Sequence, residues 1–217
     1  MSQRKQCTGI TIDFITVTRD EKYFGVVTVK DLLERSIEIE VINAKHLNPL
    51  SELPGNLLFE KQLEMCIDTP GNYTILYFDI DNFKPYNDVY GFENGDRLIK
   101  CLARVLKDQI PSPGFVGHIG GADFIAVLSE SNAKDLCQSI IDEFDNTALL
   151  FLNRNDLDRG YITAQNRKGT RERFPLLSIS IVGATSNQYK TIFALSENLA
   201  RLKKICKQRK GSNYIIE

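Results

Sequence analysis

Two carboxylates at the end of an apolar run are the first residues in this chain whose types and spacing could bind a ligand. The run Tyr73–Phe78 predicts a strand buried on both faces, and Asp79 and Asp81 follow it. Because side chains alternate along a strand, the two carboxylates point the same way. Like charges at this spacing repel each other, so we expect a cationic group beside them.

A hairpin predicted later in the chain could reach the same end of that strand. Its arms are Phe115–Ile119 and Asp123–Leu128, with Gly120 and Gly121 between them. Two glycines allow positive φ at both centres of a two-residue turn, and we place them there. If the hairpin lies beside the first strand, its tip meets Asp79.

The order and spacing of these residues resemble the GGDEF family, the diguanylate cyclase domains. The family pattern is Asp-x-Asp-x-Phe-Lys-x-x-Asn-Asp, then Gly-Asp, then the Gly-Gly-Asp/Glu-Glu-Phe hairpin. It corresponds without a gap to Asp79–Asp88, Gly95-Asp96 and Gly120–Phe124. The resemblance implies an α+β fold with a βαββαβ sheet and flanking helices.

The resemblance also implies a site for joining two GTP molecules into cyclic di-GMP, with Mg²⁺ neutralising phosphate charge. An active form would have to dimerise, because condensation needs two facing GTP sites. By resemblance, Asp79 and the Ile80 carbonyl would bind the metal, and Asp79 and Asp123 would take part in catalysis. The backbone around Asn82, Phe83 and Lys84 would bind the phosphates. Asn87 and Asp96 would recognise guanine.

One departure from the family pattern argues against catalysis. Ala122 stands where active members carry an acid, and its methyl group cannot bind Mg²⁺ or polarise a hydroxyl. Asp123 cannot replace that acid, because adjacent strand residues point to opposite faces. Losing one such electrostatic group costs about 10²–10³ in rate, so we predict negligible cyclase activity.

Two further departures affect anion binding. The family's inhibitory Arg-x-x-Asp window reads Pro111–Gly114 here, which predicts no inhibitory cyclic di-GMP site. In the stretch Cys206–Asn213, Gln208 and Ser212 fall on the positions of the family's triphosphate-binding Lys and Arg, with Lys207 and Arg209 as neighbouring alternatives.

The first part of the chain predicts a separate unit. Residues 1–35 resemble the second half of a CBS unit, with Thr28 and Asp31 at that family's nucleotide-binding positions; the alternative is a plain hairpin and helix leading into the next domain. Residues 36–52 would be a helical connector and residues 53–217 the GGDEF domain. The Asn-Pro-Leu-Ser-Glu-Leu-Pro-Gly-Asn segment resembles GGDEF domains that follow CBS pairs in proteins with an EAL domain. The chain therefore looks like part of a longer protein.

The remaining pattern predicts alternating helices and strands. Phe151–Glu172 is polar and is expected to be irregular, with a short strand at Tyr161–Ala164. The other predicted elements are a hairpin of Phe14–Thr18 and Tyr23–Val29, a helix over 29–44, helices Leu57–Ile67, Phe92–Gln109, Ala133–Leu149 and Thr191–Arg209, and strands Leu176–Ala184 and Tyr214–Ile216.

Composition excludes several classes of protein. A net charge of −1 over 217 residues gives no electrostatic basis for binding nucleic acid or an anionic membrane. No apolar run reaches membrane-spanning length, and five scattered cysteines without Cys-x-x-Cys spacing indicate reduced thiols in the cytoplasm. Three functions stay open: a GTP-binding regulatory domain, a weak cyclase using Asp79 and Asp123, and an interaction domain without nucleotide.

Overall fold

The computed structural model describes residues 14–68, 73–129, 132–165 and 169–217. The chain divides into two units, residues 1–45 and residues 46–217. In the first unit, strand β1 (Phe14–Arg19) pairs antiparallel with β2 (Lys22–Thr28), and helix α1 (Val29–His46) follows. The predicted hairpin and helix are therefore confirmed.

The second unit is built on one mixed sheet. Its strands are β3 (Tyr73–Asp81), β4 (Phe115–Gly120), β5 (Asp123–Ser129), β8 (Ser178–Thr185) and β9 (Asn213–Ile216), in the order β4-β5-β3-β8-β9. The central strand β3 runs antiparallel to β5 and β8, while β8 and β9 are parallel. A second, two-stranded sheet pairs β6 (Tyr161–Gln165) with β7 (Arg171–Pro175).

Helices cover both faces of the mixed sheet. They are α2 (Asn56–Asp68), α3 (Phe83–Tyr90), α4 (Phe92–Gln109), α5 (Ala133–Ala148), α6 (Arg154–Arg159) and α7 (Ile192–Cys206). Apolar side chains of α4 and α5 form one core with alternate β3 residues such as Leu76 and Phe78. The other face packs against α2 and α7, and Ile75 belongs to that second core. The alternation of β3 therefore sends successive side chains to different helical layers.

Most predicted elements are present, and some differ from the prediction. Strand β3 extends beyond the predicted Tyr73–Phe78, so Asp79 and Asp81 are themselves paired strand residues. The predicted short strand Tyr161–Ala164 is confirmed as β6, whereas helices α3 and α6 and the strand β7 that pairs with β6 were not predicted.

Two further sequence-based expectations concern the cysteines and membrane-spanning segments. Cys66, Cys101, Cys137 and Cys206 are buried and unpaired, and Cys7 lies outside the described residues. Within those residues, no helix combines the length and apolar character needed to span a bilayer.

Candidate functional site

The pairing of β3 with β5 brings two acidic residues from distant parts of the chain together. Asp79 lies directly opposite Asp123 in this antiparallel register. Asp79 is buried, with 7% of its surface exposed. Residues directly opposite each other on antiparallel strands share a face, so both carboxylates point toward the α7 side of the sheet. Two negative charges placed this way require positive charge nearby.

Two lysines one turn apart supply that charge, Lys203 on α7 and Lys207 directly after the helix. Lys203 Nζ contacts Asp79 Oδ2 and lies 3.1 Å from Asp123 Oδ1. Lys207 Nζ lies 2.8 Å from Asp79 Oδ1 and 3.5 Å from Asp81 Oδ1. Each carboxylate oxygen of Asp79 thus contacts its own ammonium group. The predicted cation beside Asp79 and Asp81 is therefore present as two side chains of the protein.

The protonation behaviour of this cluster follows from burial and pairing. Burial alone would lower the pKa of Lys203, but its hydrogen bond to Asp79 and the surrounding negative charges raise that pKa instead. The Lys203 ammonium also lies 4.7 Å from the centre of the Tyr77 ring, at cation–π distance. Burial and the charge of Asp123 raise the pKa of Tyr77 to about 12, so its hydroxyl stays neutral.

The pKa values of the Asp123 and Asp81 carboxyl groups are both raised. Burial and the negative charge of Asp79 raise the pKa of Asp123, against the opposing effect of Lys203. Burial likewise raises the pKa of Asp81, although Ser180 and Ser178 of β8 donate hydrogen bonds to its Oδ2 at 2.8 and 3.1 Å. These serines hold Asp81 against β8.

The glycine turn differs by one residue from the prediction. Gly120 pairs with Asp123, which places Gly121 and Ala122 at the bend. Gly121 has φ +58° and Gly120 φ +153°, so both use conformations that favour glycine. Ala122 packs against the core on the α4–α5 side, and its carbonyl accepts the Ile80 N–H at 3.4 Å. Ala122 and Asp123 therefore serve opposite faces of the sheet.

A buried histidine anchors this hairpin to the segment before α2. The His118 ring stacks on Phe124, with centroids 4.2 Å apart. Its Nδ1 lies 2.8 Å from Ser51 Oγ and its Nε2 lies 3.0 Å from the Gly121 carbonyl oxygen. The backbone N–H of His118 donates to the Pro54 carbonyl at 2.8 Å. These contacts fix the position of the glycine turn.

The proposed phosphate-binding backbone lies at the start of α3. Asn82 has φ +58° and precedes the helix, and its side-chain amide donates to the Leu176 carbonyl at 3.3 Å. Phe83 packs against the core, whereas Lys84 is exposed and lines a groove between α3 and the β6–β7 hairpin. The three predicted residues therefore share one turn but face different surroundings.

The two predicted guanine-reading residues lie on consecutive helices, Asn87 on α3 and Asp96 on α4. Gly95 packs directly on the Asn87 side chain, because a Cβ added to Gly95 would lie 2.0 Å from Asn87 Oδ1. That oxygen is buried and has no hydrogen-bond partner within the described structure. Asp96, the next residue on α4, is exposed. An unpaired buried oxygen costs free energy unless a ligand or water satisfies it.

A basic pocket adjoins the acidic cluster. It encloses about 630 Å³ and includes Asp81, Asn82 and the start of the loop after α7. Four cationic residues line it, namely Arg173, Lys207, Arg209 and Lys210. Arg173 comes from β7, and its guanidinium lies 4.8 Å from the Tyr161 ring centre. Charged guanidinium and ammonium groups of this kind are the usual protein partners of phosphate oxygens.

Comparison with known proteins decides the family. The family model described as "Diguanylate cyclase, GGDEF domain" matches residues 45–162, which is more than half of the chain. The chain belongs to the GGDEF family. The signaling protein YkoW of Bacillus subtilis (strain 168) is 28% identical over 146 residues, covering 62% of this chain and 18% of YkoW. The probable diguanylate cyclase DgcI of Escherichia coli (strain K12) is 30% identical over 115 residues, covering 52% of this chain and 24% of DgcI. The chain thus spans less than a quarter of either relative.

Solved structures confirm the GGDEF fold. The coiled coil and GGDEF domain of DgcB from Caulobacter crescentus, in complex with c-di-GMP, aligns with a TM-score of 0.63 at 18% identity. That alignment covers 86% of this chain and 95% of the DgcB chain. Vibrio cholerae LapD, an S helix-GGDEF-EAL protein bound to c-di-GMP, aligns with a TM-score of 0.62 at 18% identity, covering 85% of this chain and 40% of that one.

The residues of this GGDEF domain do not fit a magnesium site. Among the described residues, no group of three or more His, Cys, Asp or Glu side chains is arranged to hold a metal ion. Asp79 already contacts two ammonium groups, and Ala122 offers a methyl group. Mg²⁺ requires hard oxygen ligands in near-octahedral geometry. Here the carboxylate oxygens of Asp79 are already paired with lysine ammonium groups.

Three cationic residues at the site, Lys203, Lys210 and Arg173, were not among the sequence-based candidates. The signal for Lys203 was its spacing of four residues from Lys207 on a predicted helix. Arg173 directly follows the segment expected to be irregular. Lys207, one of the two neighbouring alternatives, contacts the carboxylates. Ser212, which stands at the position of the family's Arg, donates to Asp145 and accepts the Ile179 N–H at 2.9 Å.

Proposed function

We propose that this chain carries a degenerate GGDEF domain of a cyclic di-GMP signalling protein, one that binds GTP as a regulatory ligand without condensing it. The observation that carries the proposal is the state of Asp79, whose two oxygens each contact a lysine ammonium. A carboxylate neutralised in this way is not free to hold a metal or to polarise a hydroxyl. Ala122 removes the second acid that the family uses.

Two features support retained nucleotide binding. Asn87 carries both a donor and an acceptor, and its buried Oδ1 has no partner within the described structure. Asp96 of α4 is exposed, and guanine offers groups complementary to both side chains on one edge. The basic pocket of Arg173, Lys207, Arg209 and Lys210 lies next to Asn82 at the start of α3. Phosphate oxygens there would meet charged donors without a divalent ion.

The wider organisation is also part of the proposal. Residues 53–217 would be the GGDEF domain, residues 36–52 a helical connector, and residues 1–35 the end of a CBS unit in a longer protein that also carries an EAL domain. The Thr28 hydroxyl accepts the Asp31 N–H at 3.0 Å and donates to its carboxylate at 2.7 Å. Thr28 thus caps α1. The two residues predicted to bind a nucleotide, Thr28 and Asp31, are paired with each other.

Calorimetric titration with GTP tests nucleotide binding. Asn87→Ala and Asp96→Asn should each weaken binding about tenfold or more, because each removes a hydrogen-bonding group that faces the base. Asp108→Asn is the matched control, since Asp108 is exposed near the far end of the same helix. If all three variants bind GTP like the parent, or if the parent does not bind it, the nucleotide assignment is wrong.

Turnover of GTP with Mg²⁺ or Mn²⁺ tests the absence of catalysis. The parent should release neither pyrophosphate nor cyclic di-GMP above a no-enzyme control. Product formation that disappears both in Asp79→Asn and in Asp123→Asn would instead show an active cyclase using these two residues. That result would contradict the proposal even if GTP binding behaved as expected.

A further inference from the structure

Lysine side chains of the chain itself neutralise most of the negative charge around Asp79. Three carboxylates, Asp79, Asp81 and Asp123, meet two ammonium groups, Lys203 and Lys207. Two ammonium groups together carry the same charge as one divalent cation. The protein therefore already holds the positive charge that carboxylates at the end of β3 require.

The position of Lys203 matters as much as its charge. Its Nζ contacts Asp79 on β3 and Asp123 on β5, so it bridges two strands as a shared metal ion would. Only 27% of the Lys203 side chain is exposed, and its ammonium group lies over the Tyr77 ring. Packing therefore fixes the position of this side chain. A cation entering between Asp79 and Asp123 would have to displace this group.

We propose that Lys203, assisted by Lys207, is a built-in replacement for the divalent cation of this site, so that the domain folds and functions without metal there. This inference does not depend on nucleotide binding, because it concerns only the carboxylates and the lysines. Removing the charge of Lys203 should therefore open a cation site.

Mn²⁺ binding, followed by electron paramagnetic resonance of the free ion, tests the proposal directly. The parent should leave Mn²⁺ free, whereas Lys203→Met should bind it, because methionine matches the apolar stem of lysine and lacks the charged ammonium group. Lys204→Met is the matched control, since Lys204 is exposed on the same helix. Adding Asp79→Asn to Lys203→Met should abolish the new binding and so locate it.

Thermal unfolding gives a second readout that needs no activity. Mn²⁺ at about 100 times its dissociation constant should raise the Tm of Lys203→Met by about 5–10 °C, with no comparable change in the parent or in Lys204→Met. Lys203→Gln replaces Lys203→Met if that variant does not fold. Binding of Mn²⁺ by the parent that is lost in Asp79→Asn would overturn the proposal, as would the failure of both uncharged variants to bind Mn²⁺.

Discussion

Gly95→Ala is the substitution that most directly tests the geometry of the nucleotide site. Gly95 belongs to the first turns of α4, and its Cα faces the side chain of Asn87. An added Cβ would lie 2.0 Å from Asn87 Oδ1 and 2.9 Å from its Cγ. Both distances are well below van der Waals contact. The Asn87 amide would therefore have to rotate away from its present orientation.

Two opposing terms set the size of the effect. Alanine in a helix interior is more favourable than glycine by about 1 kcal/mol. Overpacking a filled space costs about 1–3 kcal/mol, so the net change should lie between about 0 and 2 kcal/mol of destabilisation. In an Asn87→Ala background the collision disappears and only the helical preference remains. Gly95→Ala should then stabilise the protein by about 1 kcal/mol.

Urea denaturation of the parent, the two single variants and the double variant completes this cycle. The expected coupling between positions 87 and 95 is about 1–3 kcal/mol, with the effect of Gly95→Ala changing sign between backgrounds. GTP titration of Gly95→Ala should show the same loss of affinity as Asn87→Ala. Equal effects of Gly95→Ala in both backgrounds, within about 0.5 kcal/mol, would refute the contact.

Two further predictions concern the sheet. A Cβ on Gly183 would lie 2.6 Å from the buried Leu76 Cδ2, so Gly183→Ala should cost about 1–3 kcal/mol in urea denaturation, whereas Gly25→Ala, whose Cβ meets nothing within 4 Å, should not. Burial lowers the pKa of His118 below 6.5, which means that the folded protein binds fewer protons than the unfolded chain. The free energy of unfolding should therefore fall as the pH drops through 6.5 toward the lowered pKa, and His118→Gln should remove that part of the pH profile; a profile identical to the parent's would contradict the assignment.

Most of the fold follows from patterns that a single sequence displays. Helix α4 begins and ends where its apolar spacing predicts, at Phe92 and Gln109, because one face packs on the sheet and the other meets solvent. Strand β6 was predicted, but β7 was missed because the sequence of Arg171–Pro175 is charged and lacks β-branched residues. Its strand character depends on pairing with Tyr161–Gln165, which no local pattern shows.

The extent of β3 illustrates how neighbouring strands override local preference. Asp is unfavourable in strands, so Asp79 and Asp81 suggest a loop by themselves. Here β5 and β8 pair with β3 as far as Asp79 and Asp81 respectively. Lys203 and Lys207 neutralise both carboxylates, which removes the electrostatic reason for the strand to end earlier.

The site shows where reasoning from the sequence reaches its limit. Repulsion between Asp79 and Asp81 predicted a cation nearby, and that prediction is confirmed, but electrostatics alone does not say whether the cation is an ion or a side chain. The cation is a side chain here because the rotation of α7 about its axis directs Lys203 toward Asp79 and Asp123. A rotation that turned Lys203 toward solvent would leave the carboxylates of Asp79 and Asp123 facing each other without this lysine. A metal ion could then neutralise them. The sequence motif is the same in both cases, so the identity of the cation depends on helix packing and not on the residues of the motif.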